Sequence, residues 1–236
     1  MHFILLVVLI ILFGIICYQL FDLFHNREYG GMGEFPHRRK FKSVAETHYS
    51  VAGPYQTKQE IKIFKSLFNK NTLPTKIIDA TAHVGVDSIT LAYSFPDAHV
   101  TSVERNPKVY ELLKANITNL GYDKQIIALN MSADVYLDNL DHTVDLIYMD
   151  PPWGGRGYKP ASDLPLHDES GNPTIPLSKV INLALKKTKL LVLKAPYNFI
   201  VGEFGKNING KIESIRKIHR ANDKTRASFI FIIIRP

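Results

Sequence analysis

The 236-residue chain contains one cysteine, Cys17, and one tryptophan, Trp153. A single cysteine excludes an internal disulfide framework, which agrees with a reducing compartment. The nine histidines show no metal-ligand spacing, so we expect no metal site. Glycine is scarce where a nucleotide site needs it: of Gly-x-Gly-x-x-Gly only Gly85 is present, and no P-loop Lys-Ser/Thr follows it. These absences argue against a cofactor that carries a pyrophosphate.

Residues 3–21 contain no charged residue, and their apolar run is interrupted mainly by Gly14 and Gln19. At about 1.5 Å per residue, this run just spans a bilayer core of about 30 Å. It lacks the basic start and the small-residue cleavage site of a secretory signal, which is the alternative interpretation. We therefore predict an uncleaved, single-pass transmembrane helix within residues 1–24, which anchors the protein in a membrane.

Basic residues follow this apolar run but do not precede it. They lie in a predicted linker, residues 25–43, so the positive-inside rule places the domain at residues 44–236 on the cytosolic side. The formal net charge is +7 and the pI is near 9.3, and most of the excess lies in the linker and in the last fifty residues. An anionic partner is expected, and charge alone does not separate nucleic acid from a membrane surface.

Strand and helix patterns alternate along the rest of the chain. Strands are predicted at Lys76–Ala80, His99–Glu104, Ile126–Met131, Leu146–Met149, Leu190–Lys194 and Ser228–Ile234, and helices at Lys58–Asn69, Val86–Ser94, Lys108–Leu120 and Leu177–Lys187. Gly121 follows the third helix at a C-cap position. The alternation predicts an α/β fold with a doubly wound, mainly parallel sheet, whose ligands bind beyond the carboxyl ends of the strands. We expect residues 168–176 to form a loop over that site.

Three acidic residues lie at the carboxyl ends of predicted strands. Asp79 ends the first strand, Glu104 ends the second, and Asp150 follows the fourth. An acidic group 25 residues after Asp79 can accept hydrogen bonds from both ribose hydroxyls of a nucleoside cofactor. Alone, Asp79 is typical of a cap or turn and Glu104 of a surface strand end. Together they favour a cofactor without a pyrophosphate, such as S-adenosylmethionine.

The segment Asp150-Pro151-Pro152-Trp153 is suited to hold a planar ring that carries an exocyclic amine. The prolines fix φ and force the chain out of the sheet. The amine can donate to the Asp150 carboxylate and the Pro151 carbonyl, while Trp153 offers a stacking surface worth about 1–3 kcal/mol per base. The alternative is an ordinary loop whose tryptophan packs into the core.

These segments resemble class I S-adenosylmethionine-dependent methyltransferases and, more closely, the trimethylguanosine synthases, which methylate guanine N2 of RNA caps. Asp150 to Gly155 and Tyr158 reproduce the target motif of that family in order, within a likeness that spans residues 49–234. The resemblance implies a Rossmann-like fold, S-adenosylmethionine as cofactor and capped RNA as partner. It assigns catalysis to Asp150 and Pro151, substrate binding to Pro152, Trp153, Arg156, Tyr158 and Lys194, and cofactor binding to Thr57, Asp79, Thr81, Gly85, Glu104, Ser132 and Asp134.

The chain departs from that family at two places. His83 and Val86 stand where the cofactor loop of the family has glycine. The Pro-Arg-Asn of the family is replaced by Pro196-Tyr197-Asn198, so an arginine that binds phosphate is missing and Lys194 is the candidate substitute. We expect His83 either to contact the cofactor or to alter its pose.

Three other functions remain open. Adenine-N6 methyltransferases also carry Asp-Pro-Pro-Trp, but without the following glycine pair and often with the motifs in reverse order. The stretches Asp79–Ala82 and Glu104–Pro107 resemble the guanine-N2 methyltransferases of small-subunit rRNA, and a transfer RNA acceptor is a variant of the same chemistry. A membrane-tethered cap- or RNA-binding module without turnover is the non-enzymatic alternative.

Overall fold

The computed structural model describes residues 41–42, 52–153, 160–167, 172–221, 225 and 227–236. The anchor predicted within residues 1–24 lies outside these residues, as does the linker except for residues 41–42. Among the residues that are described, no helix is both long enough and apolar enough to cross a membrane.

Helices and strands alternate through most of the described chain. In chain order the elements are α1 (Pro54–Ser66), β1 (Lys76–Asp79), α2 (Val86–Ser94), β2 (His99–Glu104), α3 (Pro107–Asn119), β3 (Ile126–Asn130), α4 (Ala133–Asn139), β4 (Leu146–Met149), β5 (Pro165–His167), β6 (Pro173–Pro176), α5 (Leu177–Leu185), β7 (Leu191–Pro196), α6 (Val201–Phe204), a 3-10 turn (Gly205–Asn207), β8 (Lys211–His219) and β9 (Ala227–Arg235). The predicted strands agree with these bounds to within two residues, whereas the first helix begins four residues before its prediction.

One seven-stranded sheet, ordered β3-β2-β1-β4-β7-β9-β8, organises the described part of the molecule. The five strands from β3 to β7 in this order are parallel, and β9 runs antiparallel to both β7 and β8. The predicted mainly parallel sheet is confirmed. Of the loop predicted at residues 168–176, residues 168–171 lie outside the described residues. The prediction is wrong for residues 173–176, because β6 pairs with β5 in a separate two-stranded sheet.

Helices cover both faces of the sheet, which explains why its central strands are apolar throughout. All four residues of β4, Leu146–Met149, are buried, and they alternate between two hydrophobic clusters. One cluster lies under α1, α2 and α3, and the other under α4, α5 and α6. A strand that packs against helices on both sides needs no polar face, and the result is the doubly wound arrangement.

Two glycines with positive φ lie at helix ends: one precedes α2 and the other follows α3. Gly121 follows α3 with a φ of 76°, so the glycine predicted at the C-terminal end of this helix is confirmed. Gly85 precedes α2 with a φ of 95°, and a Cβ at this position would lie 2.7 Å from Leu113 Cδ1. Gly85 is therefore required by backbone conformation and by close packing of α2 against α3.

Candidate active site

The carboxyl ends of β1, β2 and β4 form the site. In the sheet order β1 lies between β2 and β4, and the order reverses at the junction of β1 and β4, where open α/β sheets bind their ligands. Asp79 ends β1, Glu104 ends β2 and Asp150 directly follows β4. The structure thus places the three predicted acidic residues at one edge of the sheet.

The turn after β1 is joined to both neighbouring strand ends by hydrogen bonds. The backbone N–H of His83 donates to Glu104 Oε2 at 2.9 Å, and the backbone N–H of Asp150 donates to Thr81 Oγ1 at 2.7 Å. His83 adopts a left-handed conformation with a φ of 49°, the conformation that glycine takes most easily. His83, which stands where the family has glycine, therefore adopts a backbone conformation that is strained for a residue with a side chain.

Glu104 is oriented by backbone groups on both sides of its carboxylate. Asn106 N–H donates to Oε1 at 2.7 Å, opposite the His83 contact on Oε2. Burial raises the pKa of Glu104, and the hydrogen bonds from Asn106 and His83 lower it in part. A carboxylate has about four acceptor positions, so a ribose diol can still bind to Glu104.

Asp79 is fully buried at the end of β1 and accepts two hydrogen bonds. Ser88 Oγ donates to it at 2.6 Å and Thr81 N–H at 3.3 Å, while Ser102 Oγ in turn donates to Ser88 at 2.8 Å. Burial and the neighbouring Asp87 raise the pKa of Asp79 to about 8. Asp79 therefore holds a proton at neutral pH until a cation approaches it.

Lys194 on β7 lies beneath Asp150 rather than at the surface. Its Nζ is 3.0 Å from Asp150 Oδ2, 3.3 Å from Asp87 Oδ2 and 3.5 Å from Glu60 Oε1. Only 3% of the Lys194 side chain is exposed. The predicted contact of Lys194 with substrate phosphate is not what the structure shows, because carboxylates surround the ammonium.

The segment after Asp150 leaves the sheet as its prolines require. Pro151 is buried, Pro152 is exposed, and Trp153 is half-buried with its ring centroid 6.2 Å from that of Phe229. Trp153 packs against both hydrophobic clusters, so part of its ring belongs to the edge of the core. The predicted substrate residues Arg156 and Tyr158 lie outside the described residues.

The remaining predicted cofactor residues lie at two positions. Ser132 precedes α4 and Asp134 lies in its first turn, both partly exposed, next to the strand end that carries Glu104. Asn130 supports this neighbourhood, because its side-chain amide donates to the Glu104 carbonyl at 2.9 Å. Thr57 is fully buried within α1, so its side chain is part of the packed interior.

Sequence reasoning missed two carboxylates of the site, Glu60 on α1 and Asp87 on α2. The available signal was a charged residue on an apolar face, since Glu60 is four positions before Phe64 in the helix and both are buried. Lys194 gave the same signal, because it is the single charged residue within the buried strand β7. An isolated charge in a buried segment indicates a partner in the fold, but the sequence does not identify that partner.

The charges of the site fit a cationic cofactor. Three carboxylates, those of Glu60, Asp87 and Asp150, lie within 3.5 Å of the Lys194 ammonium, and the carboxyl of Asp79 lies near Asp87 and Asp150. Asp87 Oδ1 and both oxygens of Glu60 are buried and accept no hydrogen bond from the described residues. S-adenosylmethionine carries a sulfonium and an ammonium, which favour a region of excess negative charge. In the described part of the chain, no group of three His, Cys, Asp or Glu residues is arranged to hold a metal ion.

Solved structures share this fold. An S-adenosylmethionine-dependent methyltransferase from Agrobacterium tumefaciens superposes with a TM-score of 0.56 at 16% identity, over 77% of this chain and 62% of that one. A precorrin-6y C5,15-methyltransferase from Geobacter metallireducens gives a TM-score of 0.55 at 14% identity, over 85% and 98% of the two chains. The fold is that of the class I S-adenosylmethionine-dependent methyltransferases.

Residues 74–235 match the RNA cap guanine-N2 methyltransferase family, and the chain belongs to that family. The predicted resemblance is confirmed, and the family indicates S-adenosylmethionine as cofactor. Protein L320 of Acanthamoeba polyphaga mimivirus is 29% identical over 123 residues, 52% of this chain and 46% of that protein. Ribosomal RNA small subunit methyltransferase J of Acinetobacter baylyi is 40% identical over 90 residues, 34% and 33% of the two chains. The chain thus spans less than half the length of these two relatives.

Proposed function

We propose that the protein is an RNA methyltransferase that transfers a methyl group from S-adenosylmethionine to N2 of guanine, with the 7-methylguanosine cap as acceptor. The family match supports the reaction class. The observation that carries the proposal is the position of Asp150, which follows β4 and is bonded through its backbone to Thr81 in the turn after β1. A group that binds an acceptor amine thereby adjoins the turn that serves the cofactor.

S-adenosylmethionine, when bound, supplies an electrophilic methyl group on a sulfonium. Asp150 and the Pro151 carbonyl accept hydrogen bonds from the guanine amine and direct its lone pair toward that methyl carbon. Methyl transfer to the amine nitrogen would leave the electron pair of the carbon–sulfur bond on sulfur, and Asp150 would take up the amine proton. Most of the rate gain comes from orientation, since well-placed reactants gain about 7–11 kcal/mol.

The aromatic and basic residues near Asp150 supply base and phosphate contacts in this proposal. Trp153 stacks on the 7-methylguanine ring, whose positive charge strengthens its attraction to an aromatic face. Arg156 and Tyr158 contact the cap phosphates. Lys194 takes no part in phosphate binding, because its ammonium is enclosed by carboxylates.

Ribosomal RNA is the second candidate acceptor, with the same chemistry at guanine N2. The specific observation in its favour is the 40% identity over 90 residues to a small-subunit rRNA methyltransferase. The local stretches that resemble rRNA enzymes, Asp79–Ala82 and Glu104–Pro107, both border the described site.

The test is to incubate the full chain with labelled S-adenosylmethionine and four acceptors: unmethylated cap, 7-methylated cap, uncapped RNA and small-subunit rRNA. Digestion to nucleosides then identifies the product. We expect label in N2-methylated 7-methylguanosine from the 7-methylated cap. Label in guanosine of rRNA supports the second candidate, and label in N6-methyladenosine overturns guanine as the acceptor base.

Two variants make this assay specific. Asp150→Asn should abolish transfer to every acceptor while cofactor binding is retained. Asp138→Asn is the matched control, because Asp138 is an exposed aspartate on α4. Cofactor binding and acceptor binding without any product would instead indicate a binding module.

We also propose that residues 1–24 anchor the protein in a membrane and leave the methyltransferase domain on the cytosolic side. The support is the uncharged run of residues 3–21 and the basic residues that follow it. Fractionation should find the full chain with membranes and a chain without residues 1–24 in the soluble fraction. A full chain that is entirely in the soluble fraction contradicts the anchor.

A further inference from the structure

Methyl transfer does not by itself require a buried lysine, yet Lys194 is enclosed by carboxylates and by an aromatic ring. Its ammonium is 4.6 Å from the centroid of the Phe229 ring and within 3.5 Å of carboxylate oxygens on three different elements, α1, α2 and the residue after β4. A buried ammonium is stable only with such partners. Its position therefore depends on these carboxylates, and their positions depend on it.

The distances rank the three carboxylates as partners of Lys194. Asp150 Oδ2 is nearest at 3.0 Å, Asp87 Oδ2 follows at 3.3 Å, and Glu60 Oε1 is at 3.5 Å. The Asp150 side chain is 18% exposed, whereas that of Lys194 is 3% exposed. Lys194 thus contacts, from the interior of the protein, the carboxylate that is proposed to bind the acceptor.

We propose that Lys194 is a positioning residue for methyl transfer: it favours the ionised form of the Asp150 carboxylate and orients that carboxylate toward the acceptor amine, while Asp87 competes for the same ammonium. This inference rests on the proposed function, because it requires Asp150 to accept a hydrogen bond from that amine. A protonated Asp150 has one oxygen that is a donor, which repels an amine proton, and it cannot receive the proton released by transfer.

The groups that face Asp150 from the packed elements act in opposite directions. Burial is the largest effect and raises the pKa of Asp150 to about 7; Lys194 lowers it in part, and Asp87 raises it. Burial lowers the pKa of Lys194, but Asp150, Asp87 and Glu60 outweigh that effect and hold it well above its ordinary value. The ammonium is therefore charged at neutral pH.

The other titratable side chains around Lys194 and Asp150 are neutral or acidic. Burial raises the pKa of Glu60 despite the opposing effect of Lys194, and burial raises that of Asp79 to about 8. Burial and the same carboxylates place the pKa of the Tyr148 hydroxyl well above its ordinary value, so Tyr148 stays neutral. Among the described residues around Asp150, Lys194 is thus the cation that favours its ionised form. Glu60 lies outside residues 74–235, so part of this network precedes the segment matched by the family.

The pH profile of methyl transfer tests the inference, because Lys194 and Asp87 should shift it in opposite directions. Lys194→Met keeps the length of the side chain without the charge, and we expect its acid limb to move up by at least about one pH unit, a tenfold change in the ionised fraction. Asp87→Asn removes the competing charge and should move the acid limb down. Lys189→Met is the matched control, because Lys189 is an exposed lysine that pairs with Asp145 at 2.8 Å.

A second readout needs no turnover. Carbon-13 NMR of labelled aspartate in the full chain, assigned with Asp150→Asn, follows ionisation of the Asp150 carboxyl directly. Its titration should move up in Lys194→Met and down in Asp87→Asn. If Lys194→Met does not fold, as judged by circular dichroism, Asp87→Asn decides alone.

The two readouts separate the inference from the proposed function. A carboxyl titration that moves as expected, in a protein that methylates no guanine, supports Lys194 as the partner of Asp150 and overturns the proposed acceptor. A titration and an acid limb that are unchanged in the folded variants overturn the positioning role, even if guanine is methylated.

Discussion

The backbone N–H of Asp150 donates to the hydroxyl of Thr81 at 2.7 Å, across the junction of the two central strands β1 and β4. Thr81 N–H donates in turn to Asp79, at 3.3 Å. A single threonine therefore joins the end of the cofactor strand to the first residue of the acceptor motif. Because methyl transfer depends on the alignment of donor and acceptor, we expect this contact to set the distance between the two half-sites.

Thr81→Val removes the hydroxyl and keeps the shape of the side chain. We expect the free energy of unfolding to fall by about 1 kcal/mol, because the partly buried Asp150 N–H loses its hydrogen-bond acceptor. The transfer rate should fall by at least about tenfold, since displaced reactants lose much of the gain from orientation. Denaturant unfolding and kcat at saturating substrate measure the two effects.

Thr90→Val is the control for that variant. The Thr90 hydroxyl is also buried, but it donates to the Val86 carbonyl within α2 at 2.8 Å. Its substitution should leave kcat unchanged. An equal loss of kcat in both variants would assign the effect of Thr81→Val to general destabilisation.

Trp153→Ala tests whether the tryptophan binds the acceptor base. We expect acceptor KM to rise by about 5- to 160-fold, from the loss of about 1–3 kcal/mol of stacking, while the Kd for S-adenosylmethionine is unchanged. Calorimetry with cofactor and fluorescence titration with cap analogue measure the two affinities separately.

The half-buried position of Trp153 makes a second variant necessary. Trp153→Phe keeps an aromatic ring beside Phe229 and should retain most of the acceptor affinity. If Trp153→Ala loses cofactor affinity and acceptor affinity together, the tryptophan acts through the core rather than on the base.

The sheet and the positions of its acidic ends were predictable because both follow from local patterns. Strands buried on two faces are apolar throughout, as in Leu146–Met149, and a polar residue that ends such a strand lies at the sheet edge. Asp79, Glu104 and Asp150 were identified in this way, and the structure places them together.

Two features could not be predicted because they depend on distant pairing. Strand β8 has apolar residues at Ile212, Ile215 and Ile218, and a register shift between Ile212 and Ser214 breaks the alternation that marks a strand. The role of Lys194 depends on Glu60, 134 positions earlier in the chain, and no local pattern reports that contact.

His83→Gly and His83→Ala together test the strain in the turn after β1. The φ of 49° disfavours any side chain with a Cβ, so the glycine variant should be more stable than the alanine variant by about 1 kcal/mol. Elsewhere in a folded chain the order is usually the reverse. Denaturant unfolding measures the difference, and an alanine variant of equal or greater stability would show that the turn carries no such strain.

Asp79→Asn tests how the buried carboxyl makes stability depend on pH. Burial raises the pKa of Asp79 from 3.8 to about 8 in the folded protein, so between these values the folded state binds a proton that the unfolded state has lost. The free energy of unfolding contributed by Asp79 is therefore greatest at acid pH and falls as pH rises through that window, by up to about 1.4 kcal/mol per pH unit.

An asparagine cannot ionise. In Asp79→Asn the free energy of unfolding should therefore fall less steeply with pH between about pH 5 and 7.5, by up to this slope. Denaturant titrations of the cofactor-free protein across that range measure it, with the exposed Asp123→Asn as control. Parallel curves for wild type and Asp79→Asn would mean that Asp79 is already ionised in the folded state.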